Sequence, residues 1–484
     1  MILEFKFNYI NKTNLLAYFL DFYAKKSKLP YSIYKENDVI SLFVEGKEEE
    51  LLKFSDEWMI LIPNSVFLTK SEVLVVDEMK ESNLEIPSLK LPNLTPNVVK
   101  NYVNHSDSLE NECGIFSEIS VLLDGEFVEV NETNYKELIK TLVLNLTHNQ
   151  AVVLKDKNGE FILKNGLEFD SDFVMPTSFK SVEKAFIMDE KSYIALSSYE
   201  KPVLNLKLNA IFRQNNKNVP AFFDVKAASD FFVFALLDAL YGESVNFVSV
   251  NGEIKLKASV LDERILVTRN KPQRDPNTPL FKEICSEYNI NDKVNINIAL
   301  SKVKPDAIKI YKDSKAIDLL KFKEFKNFEE IKEAIASDDV GNRLLNNFQK
   351  EFEFPTGKIK NSDSFYALFD IVSKVLFGKD AFYLIESAKD SILKKGPSID
   401  YKEENGEFDT IKFIRSGMSF RLAGVDNNVL AFGYAESLIY FLDRFLENYE
   451  YDNAIITGCL FEEKIFANFA QKHLKAKFSN YLGV

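Results

Sequence analysis

The alternation of apolar and polar positions at the N-terminus predicts a small α+β domain. Four runs have the β-rich composition of strands, ILEFKFNYI, YSIYKEN, VISLFVEG and EVLVVDE. Two others, NLLAYFLDFYAKK and EEELLKFSDEWMILIP, carry apolar residues at helical spacing. The resulting order is strand–helix–strand–strand–helix–strand in about 80 residues, and this order is typical of a ferredoxin-like fold.

The central part of the chain alternates short β-rich runs with helical stretches. The runs AVVLKD, GEFILKNG, PVLNLKL, SVNFVSVNGEIKL and RILVTR predict strands, and ASDFFVFALLDALYG predicts a helix between two of them. Such alternation indicates a mixed α/β domain.

The last part of the chain is richer in helix. The segment YAESLIYFLDRFLENYE has an apolar face at the spacing of a helix, and the strand NAIIT follows it. A second helix then presents Ile465, Phe466, Phe469 and Ala470 on one side. The face of the first helix consists of Leu438, Phe441, Leu442, Phe445, Leu446 and Tyr449. A helix–strand–turn–helix order of this kind belongs to an α/β layer.

Two proline-bearing stretches, ESNLEIPSLKLPNLTPN and TRNKPQRDPNTP, suit extended connections between folded units. They predict three domains, at residues 1–85, 100–270 and 280–484. The predicted fold class is therefore a multidomain protein of α+β and α/β type, and its length of 484 residues allows a separate core for each domain.

Composition and charge narrow the function classes. The net charge is 60 minus 73, or −13, which disfavours broad attraction to nucleic acid or to an anionic membrane. The longest apolar stretch, Phe231 to Leu237, is far shorter than the ~20 residues that span a bilayer. The start of the chain lacks the basic and apolar regions of a signal peptide. We therefore expect a cytoplasmic protein that binds neither nucleic acid nor membrane.

Cysteine and histidine are too few and too scattered to predict a metal site. Cys113, Cys285 and Cys459 lie far apart and form no C-x-x-C pair. The three histidines are likewise separated by more than a helical turn. The sequence therefore predicts no zinc ribbon, no disulfide framework and no histidine-rich metal centre.

The segment AIITGCLFEEK, from Ala454 to Lys464, predicts a strand, a tight turn and the start of a helix. Such a turn can hold a phosphate when glycines let backbone N–H groups approach the anion. Here Gly458 is the single glycine, and Glu462 and Glu463 at the helix start would repel an anion. A structural turn and a nucleotide-binding turn both remain open, and the first is favoured.

Three segments of the last part of the chain resemble one known family. SFYALFDIVSKVLFGKD, from Ser364 to Asp380, is similar to S-x-G-R-L-F-D-A-V-A-x-L-L-G, and YLIESAKDSIL follows where the family has Y-E-G-Q-A-A-I-x-L-E. The turn is similar to A-L-S-G-G-V-F-Q-N-R-L-L, with Gly458 and Phe461 retained and Thr457 in place of serine. The family is that of the HypF carbamoyltransferases, which help to make the cyanide ligands of nickel–iron hydrogenases.

The central part carries further resemblance to the same family. AVVLKDKNGEFILKNG is similar to I-V-A-I-K-G-x-G-G-F-H-L, with Lys155 and Gly159 in corresponding places. VNFVSVNGE is similar to V-M-T-S-G-N, with Ser249 and Asn251 shared. The resemblance implies an acylphosphatase-like ferredoxin fold, a YrdC-like α/β domain and a partial Kae1-like domain of the actin/Hsp70 ATPase type, in that order.

Several groups on which the family's chemistry depends have no counterpart. Asn14 replaces the phosphate-binding arginine, and the cysteine pairs of the zinc fingers and the H-x-x-x-H metal motif are absent. Cys459 replaces the second glycine of the phosphate loop and Glu463 replaces an asparagine. The resemblance thus implies a shortened, degenerate relative, like the HydE hydrogenase accessory proteins of Epsilonproteobacteria.

By resemblance, we expect an accessory protein for nickel–iron hydrogenase maturation. Its expected partners are other maturation proteins or the hydrogenase large subunit, and it has no certain cofactor.

The alternative is a YrdC-like enzyme that binds ATP and forms or holds a carbamoyl- or acyl-adenylate. Its candidate nucleotide pockets would use Lys155, Ser249, Asn251, Thr457 and Gly458. A purely structural interpretation also stands, in which Lys155 is a solvated charge at a strand end and SVNG is a hairpin turn.

Overall fold

The computed structural model describes the chain in five ranges, 1–216, 219–262, 264–312, 315–392 and 395–484. The chain forms two compact units, Met1–Pro272 and Gln273–Val484. In the described ranges, no helix is both long and apolar enough to cross a membrane.

The first unit begins with a four-stranded antiparallel sheet in the order β2-β3-β1-β4. Its elements are β1 (Ile2–Tyr9), α1 (Leu15–Ser27), β2 (Tyr31–Glu36), β3 (Val39–Glu45), α2 (Glu48–Glu57) and β4 (Leu68–Val76). The predicted order of strands and helices is confirmed, and both the chain order and the sheet order are those of a ferredoxin-like fold.

The second helix of this sheet is shorter than the sequence pattern predicts. It ends at Glu57, and residues Met59–Leu61 form a single 3-10 turn. Pro63 explains why the turn does not continue beyond Leu61, because the residue before a proline, here Ile62, is pushed out of the helical region.

The remainder of the first unit is a ten-stranded mixed sheet in the order β14-β13-β10-β11-β9-β12-β8-β7-β5-β6. Its helices are α3 (Pro96–Val103), α4 (Tyr135–Thr147), α5 (Phe179–Ala185), α6 (Glu190–Ser197), α7 (Ala210–Asn215) and α8 (Phe231–Gly242). Its strands are β5 (Ser120–Leu123), β6 (Glu126–Glu129), β7 (Val152–Asp156), β8 (Gly159–Asn165), β9 (Phe173–Pro176), β10 (Val203–Lys207), β11 (Phe222–Val225), β12 (Phe247–Asn251), β13 (Leu256–Val260) and β14 (Ile265–Asn270).

Helices α4 and α8 pack together over one face of this sheet. Leu142 and Leu146 of α4 and Phe232 and Leu236 of α8 are fully or almost fully buried there, with Leu163 of β8. The predicted apolar helix is confirmed as α8.

One structural interpretation of the sequence is wrong. SVNG is not a hairpin turn, because β12 lies between β8 and β9 while β13 pairs with β10 and β14. The run SVNFVSVNGEIKL therefore divides into two strands that are not neighbours. By contrast, Lys157 and Asn158 do connect a hairpin, since Asp156 pairs with Gly159 across β7 and β8.

The second unit contains a five-stranded sheet in the order β17-β16-β15-β21-β22 and a small sheet in the order β18-β20-β19. Its strands are β15 (Asn295–Ala299), β16 (Ala307–Lys312), β17 (Lys315–Asp318), β18 (Lys321–Phe322), β19 (Glu403–Glu404), β20 (Glu407–Phe408), β21 (Asn453–Thr457) and β22 (Ala476–Lys477). Its helices are α9 (Leu280–Glu287), α10 (Phe328–Ile335), α11 (Asp339–Glu351), α12 (Phe365–Phe377), α13 (Ala381–Asp390), α14 (Thr410–Leu422), α15 (Asn427–Leu446) and α16 (Lys464–His473).

The predicted strand NAIIT is confirmed as β21, and the helices on either side of it are α15 and α16. Helix α15 starts seven residues before the predicted segment, where Asp426 caps it by accepting a hydrogen bond from Asn428 N. The predicted apolar face is buried except for Tyr449, which lies beyond the end of the helix. The mixed, multi-sheet α/β architecture matches the predicted fold class, while the separation of 1–85 from 100–270 stays a prediction.

Candidate functional site

The turn that resembles a phosphate loop lies where β15 and β21, which are parallel neighbours, both end. The Thr457 hydroxyl donates a hydrogen bond of 2.9 Å to Asn297 Oδ1, and Leu300 N donates one of 3.0 Å to the Thr457 carbonyl. Two loops therefore meet here, residues 300–306 after β15 and residues 458–463 after β21.

Gly458 is required by this close approach of two backbones. Its φ of 102° lies in a region that side chains rarely adopt, and a Cβ at this position would lie 2.1 Å from the Leu300 carbonyl oxygen. The tight turn predicted from the sequence is therefore present, and its glycine is explained by contact with the neighbouring loop.

Three of the backbone N–H groups that follow Gly458 are directed at carbonyls of the protein itself. Leu460 N donates to Leu300 O at 3.1 Å, Phe461 N donates to Gly458 O at 3.1 Å, and Glu463 N donates to Leu460 O at 3.2 Å. Residues Cys459–Glu462 form a 3-10 turn, and α16 begins directly after Glu463. Three donors that could approach a phosphate in a glycine-rich loop are thus already bonded.

A carboxylate lies between two ammonium groups at this turn. The Glu463 Oε1 atom is 2.7 Å from Lys302 Nζ, and its Oε2 atom is 3.2 Å from Lys389 Nζ. The Lys389 side chain is 5% exposed and also contacts Glu386, while the Glu463 side chain is 17% exposed. We refer to Lys302, Lys389 and Glu463 as the Glu463 ion cluster.

The carboxylates next to the two lysines of the Glu463 ion cluster keep those lysines charged. Burial lowers the pKa of each lysine, but the adjacent carboxylates, with Glu463 foremost, outweigh burial and leave the pKa of both lysines raised. The two lysines therefore stay charged, and their counter-ion is a side chain of the same chain.

Cys459 contacts the loop after β15. Its Sγ atom accepts a hydrogen bond of 3.2 Å from Lys302 N and lies 3.5 Å from Ser301 Oγ. The side chain is half-buried. The cysteine that replaces the second glycine of the family pattern thus joins the two loops.

A second half-buried carboxylate, that of Asp306, holds the other end of the same loop. Asp306 accepts hydrogen bonds from Ser301 N at 2.7 Å and from Phe365 N, the first residue of α12, at 2.6 Å. Burial raises its pKa to about 7, the charge of Asp363 adds to this rise, and the two backbone hydrogen bonds oppose it.

Sequence reasoning finds Glu463 but not Lys302, Lys389 or Asp306. These residues are brought to Glu463 and Phe365 by the tertiary structure from distant positions, so no spacing motif marks them.

The hydroxyl of Ser249, in the other candidate pocket, forms hydrogen bonds with two backbone groups of the protein. Its side chain is fully buried on β12, where Oγ donates to Gly166 O at 2.7 Å and accepts from Glu168 N at 2.7 Å. Asn251, at the end of the same strand, donates to the Asp170 carbonyl at 3.4 Å. Both side chains thus connect β12 to the loop between β8 and β9.

Lys155 lies on the same face of the sheet as Ser249 and Asn251 but extends in the other direction. The register pairs Asn251 with Ile162 and Ile162 with Val153, so residue 155 shares their face two strands away. Its ammonium group lies 4.9 Å from the ring centroid of Phe127 on β6, at the edge of the sheet.

Asn14 occupies the start of α1 with a left-handed φ of 52°. Its Oδ1 atom accepts a hydrogen bond of 2.6 Å from Lys35 Nζ. The asparagine at the position of the family's phosphate-binding arginine is therefore hydrogen-bonded to a lysine of β2.

No family model matches the chain. Among curated proteins it is similar to Protein HydE of Wolinella succinogenes, with 26% identity over 500 aligned positions and 90% of both chains covered. Among solved structures it is similar to full-length HypF in the phosphate- and nucleotide-bound form, with a TM-score of 0.56, 11% identity, and 99% of this chain and 96% of that one covered. The HypF of T. kodakarensis gives a TM-score of 0.57 at 10% identity with the same coverage. The chain is therefore similar in sequence to HydE over 90% of its length and has the HypF fold along almost its whole length.

Proposed function

We propose that this protein is a cytoplasmic accessory protein for the maturation of nickel–iron hydrogenase, and that it acts by binding a partner instead of carrying out carbamoyl transfer. The relation to HydE and the HypF fold support a place in this pathway. The partner would be another maturation protein or the hydrogenase large subunit.

The observation that carries the proposal is the Glu463 ion cluster. A nucleotide phosphate at this turn would need cationic partners and free N–H donors. Here Glu463 lies between Lys302 and Lys389, and displacing it would leave a carboxylate beside the phosphate and close to Glu462, which is itself buried. Like charges at such short range are strongly unfavourable in a partly dry environment. The geometry therefore favours a turn whose two lysines are neutralised by a carboxylate of the protein and not by a bound phosphate.

The alternative function is a YrdC-like enzyme that binds ATP and forms or holds a carbamoyl- or acyl-adenylate. One observation favours it, since Lys155, Ser249 and Asn251 share a face of the ten-stranded sheet. Against it, the Ser249 hydroxyl already donates one hydrogen bond and accepts another, both at 2.7 Å. A nucleotide would have to compete with these buried contacts.

Complementation of a strain that lacks the gene, with hydrogenase activity as the readout, tests the proposal. Lys155→Ala and Cys459→Ala should leave maturation nearly intact, because each alters a candidate nucleotide pocket and neither changes the hydrophobic core. Phe441→Asp should abolish it, because Phe441 is 5% exposed and packs against Phe408 and Phe445.

The matched control is Tyr440→Asp. It introduces the same charge on the adjacent residue of α15, whose side chain is 37% exposed, and should retain most activity. If Lys155→Ala or Cys459→Ala abolishes maturation while circular dichroism shows a folded protein, the enzyme is the better account.

A further inference from the structure

The two edges of the N-terminal four-stranded sheet differ in how they are protected. At the β2 edge, the chain that follows β4 supplies hydrogen-bonding partners, as Ile33 N donates to Ser82 Oγ at 3.0 Å and Lys35 N donates to Asn83 Oδ1 at 2.7 Å. The opposite edge is formed by β4, the last strand in the sheet order. In the described part of the chain, the sheet therefore has one covered edge and one open edge, to which no further strand pairs.

The open edge is apolar on both of its faces. Val73, Leu74 and Val75 are consecutive, and their exposed fractions are 55%, 42% and 68%. Val73 pairs with the buried Phe5 of β1, so it lies on the helix-covered face of the sheet, whereas Leu74 lies on the other face. Natural edge strands are usually blunted by charge, proline, bulges or a covering segment. The central part of β4 has none of the first three.

We propose that β4 pairs with β4 of a second copy of this chain in antiparallel orientation, which joins two four-stranded sheets into one of eight strands. A strand adds to an open edge through its main-chain groups, and an isologous contact around a twofold axis closes after two subunits. The dimer would cover the exposed apolar residues of both copies.

The charges in and just after β4 favour one register. A twofold axis perpendicular to the sheet keeps each face on the same side, so residues on one face pair with each other. With Leu74 opposite Leu74, Val73 lies opposite Val75. Lys70, whose ammonium group is also 2.7 Å from Glu72 within β4, then lies opposite Glu78, two residues beyond the end of the strand, and this pair occurs twice in the contact. Centring the contact on Glu72 would place two like charges opposite each other, which is destabilising. Leu74 is therefore the expected centre, and Lys70 and Glu78 are both exposed.

The contact is expected to be reversible. A single pair of strands covers less than the ~1,200–2,000 Å² of a standard stable interface. We therefore expect a dimer with a dissociation constant of roughly 10–100 μM.

Sedimentation equilibrium of the purified full chain tests the proposal. The wild type should shift from monomer to dimer across the micromolar range, and Val75→Lys should weaken the dimer at least tenfold, because a charge would be buried beside the apolar centre. Leu52→Lys is the matched control. It adds the same charge to α2 of the same sheet domain at a residue that is 58% exposed, and should leave the dimer unchanged. Equal thermal unfolding of the three proteins by circular dichroism excludes a folding defect.

A disulfide at the centre of the contact tests the register. Leu74→Cys should form a covalent dimer under mild oxidation far faster than Leu52→Cys, since only residue 74 faces its own copy. A wild type that stays monomeric at 200 μM, or Leu74→Cys and Leu52→Cys dimers that form equally slowly, would overturn the proposal. If the chain stays monomeric but loses a different bound protein on Val75→Lys, the edge belongs to a strand of that protein and self-pairing is wrong.

Discussion

At the scale of single residues, Gly458 has a structural role that does not depend on a ligand. Its positive φ and the closeness of the Leu300 carbonyl both demand a residue without Cβ. The sequence identifies the turn but not the neighbouring loop that makes the glycine necessary.

Gly458→Ala should destabilise the second unit by about 3 kcal/mol or more, because strain in φ and a backbone clash act together. Urea unfolding by circular dichroism measures the loss, and hydrogen exchange of β15 locates it. Gly424→Ala is the control, because Gly424 has a φ of 76° with open space around it, and should cost only about 1 kcal/mol. Equal costs at the two positions would show that the loops can separate freely.

The half-buried carboxyl of Asp306 should make the stability of the second unit depend on pH. Its folded pKa of about 7 lies above its ordinary value of 3.8. A raised pKa means that the folded state binds the proton more tightly, so the stability contributed by this group is complete below about pH 4 and is lost as pH rises to about 7.

Asp306→Asn should therefore reduce the loss of stability between pH 5 and pH 7.5 by about 2 kcal/mol relative to the wild type, as measured by urea unfolding at each pH. Asp318→Asn, which changes a half-exposed carboxylate on β17, should retain the wild-type slope. A wild-type slope in Asp306→Asn would mean that this carboxyl titrates normally.

At the scale of secondary-structure elements, Ser249 connects β12 to the loop after β8. Ser249→Ala would leave Gly166 O and Glu168 N without their buried partner, at a cost of about 1–3 kcal/mol. Asn251→Ala should cost less, because its hydrogen bond to Asp170 is long, at 3.4 Å. Thermal unfolding of the two variants measures the difference. A larger cost for Asn251→Ala would contradict this assignment of roles.

Elements that have a strong local pattern were predictable from the sequence. The β1-to-β4 order, α8 and the β21–turn–α16 segment follow from periodicity and turn residues. The order of the ten-stranded sheet was not predictable, because β10 pairs with β13, which lies some fifty residues later in the chain, and local patterns carry no information on such pairing.

At the scale of the whole molecule, the chain has the HypF fold at 10–11% identity, so core volume and patterning maintain the architecture while most side chains differ. The candidate site, unlike the fold, depends on the identity of particular side chains. At this site Lys302 and Lys389 reach Glu463 from distant positions in the chain, and the Glu463 carboxylate lies between them. The fold was therefore recognisable from short motifs, but the Glu463 ion cluster was not.

The central claim is that the protein works without a nucleotide at the Gly458 turn, and titration calorimetry of ATP with magnesium into the purified full chain tests it most directly. Glu463 occupies the position between the two lysines, so we predict no measurable binding up to 1 mM ATP. Binding of ATP at micromolar affinity, lost in Cys459→Ala but retained in Lys155→Ala, would contradict the account and place the nucleotide at this turn.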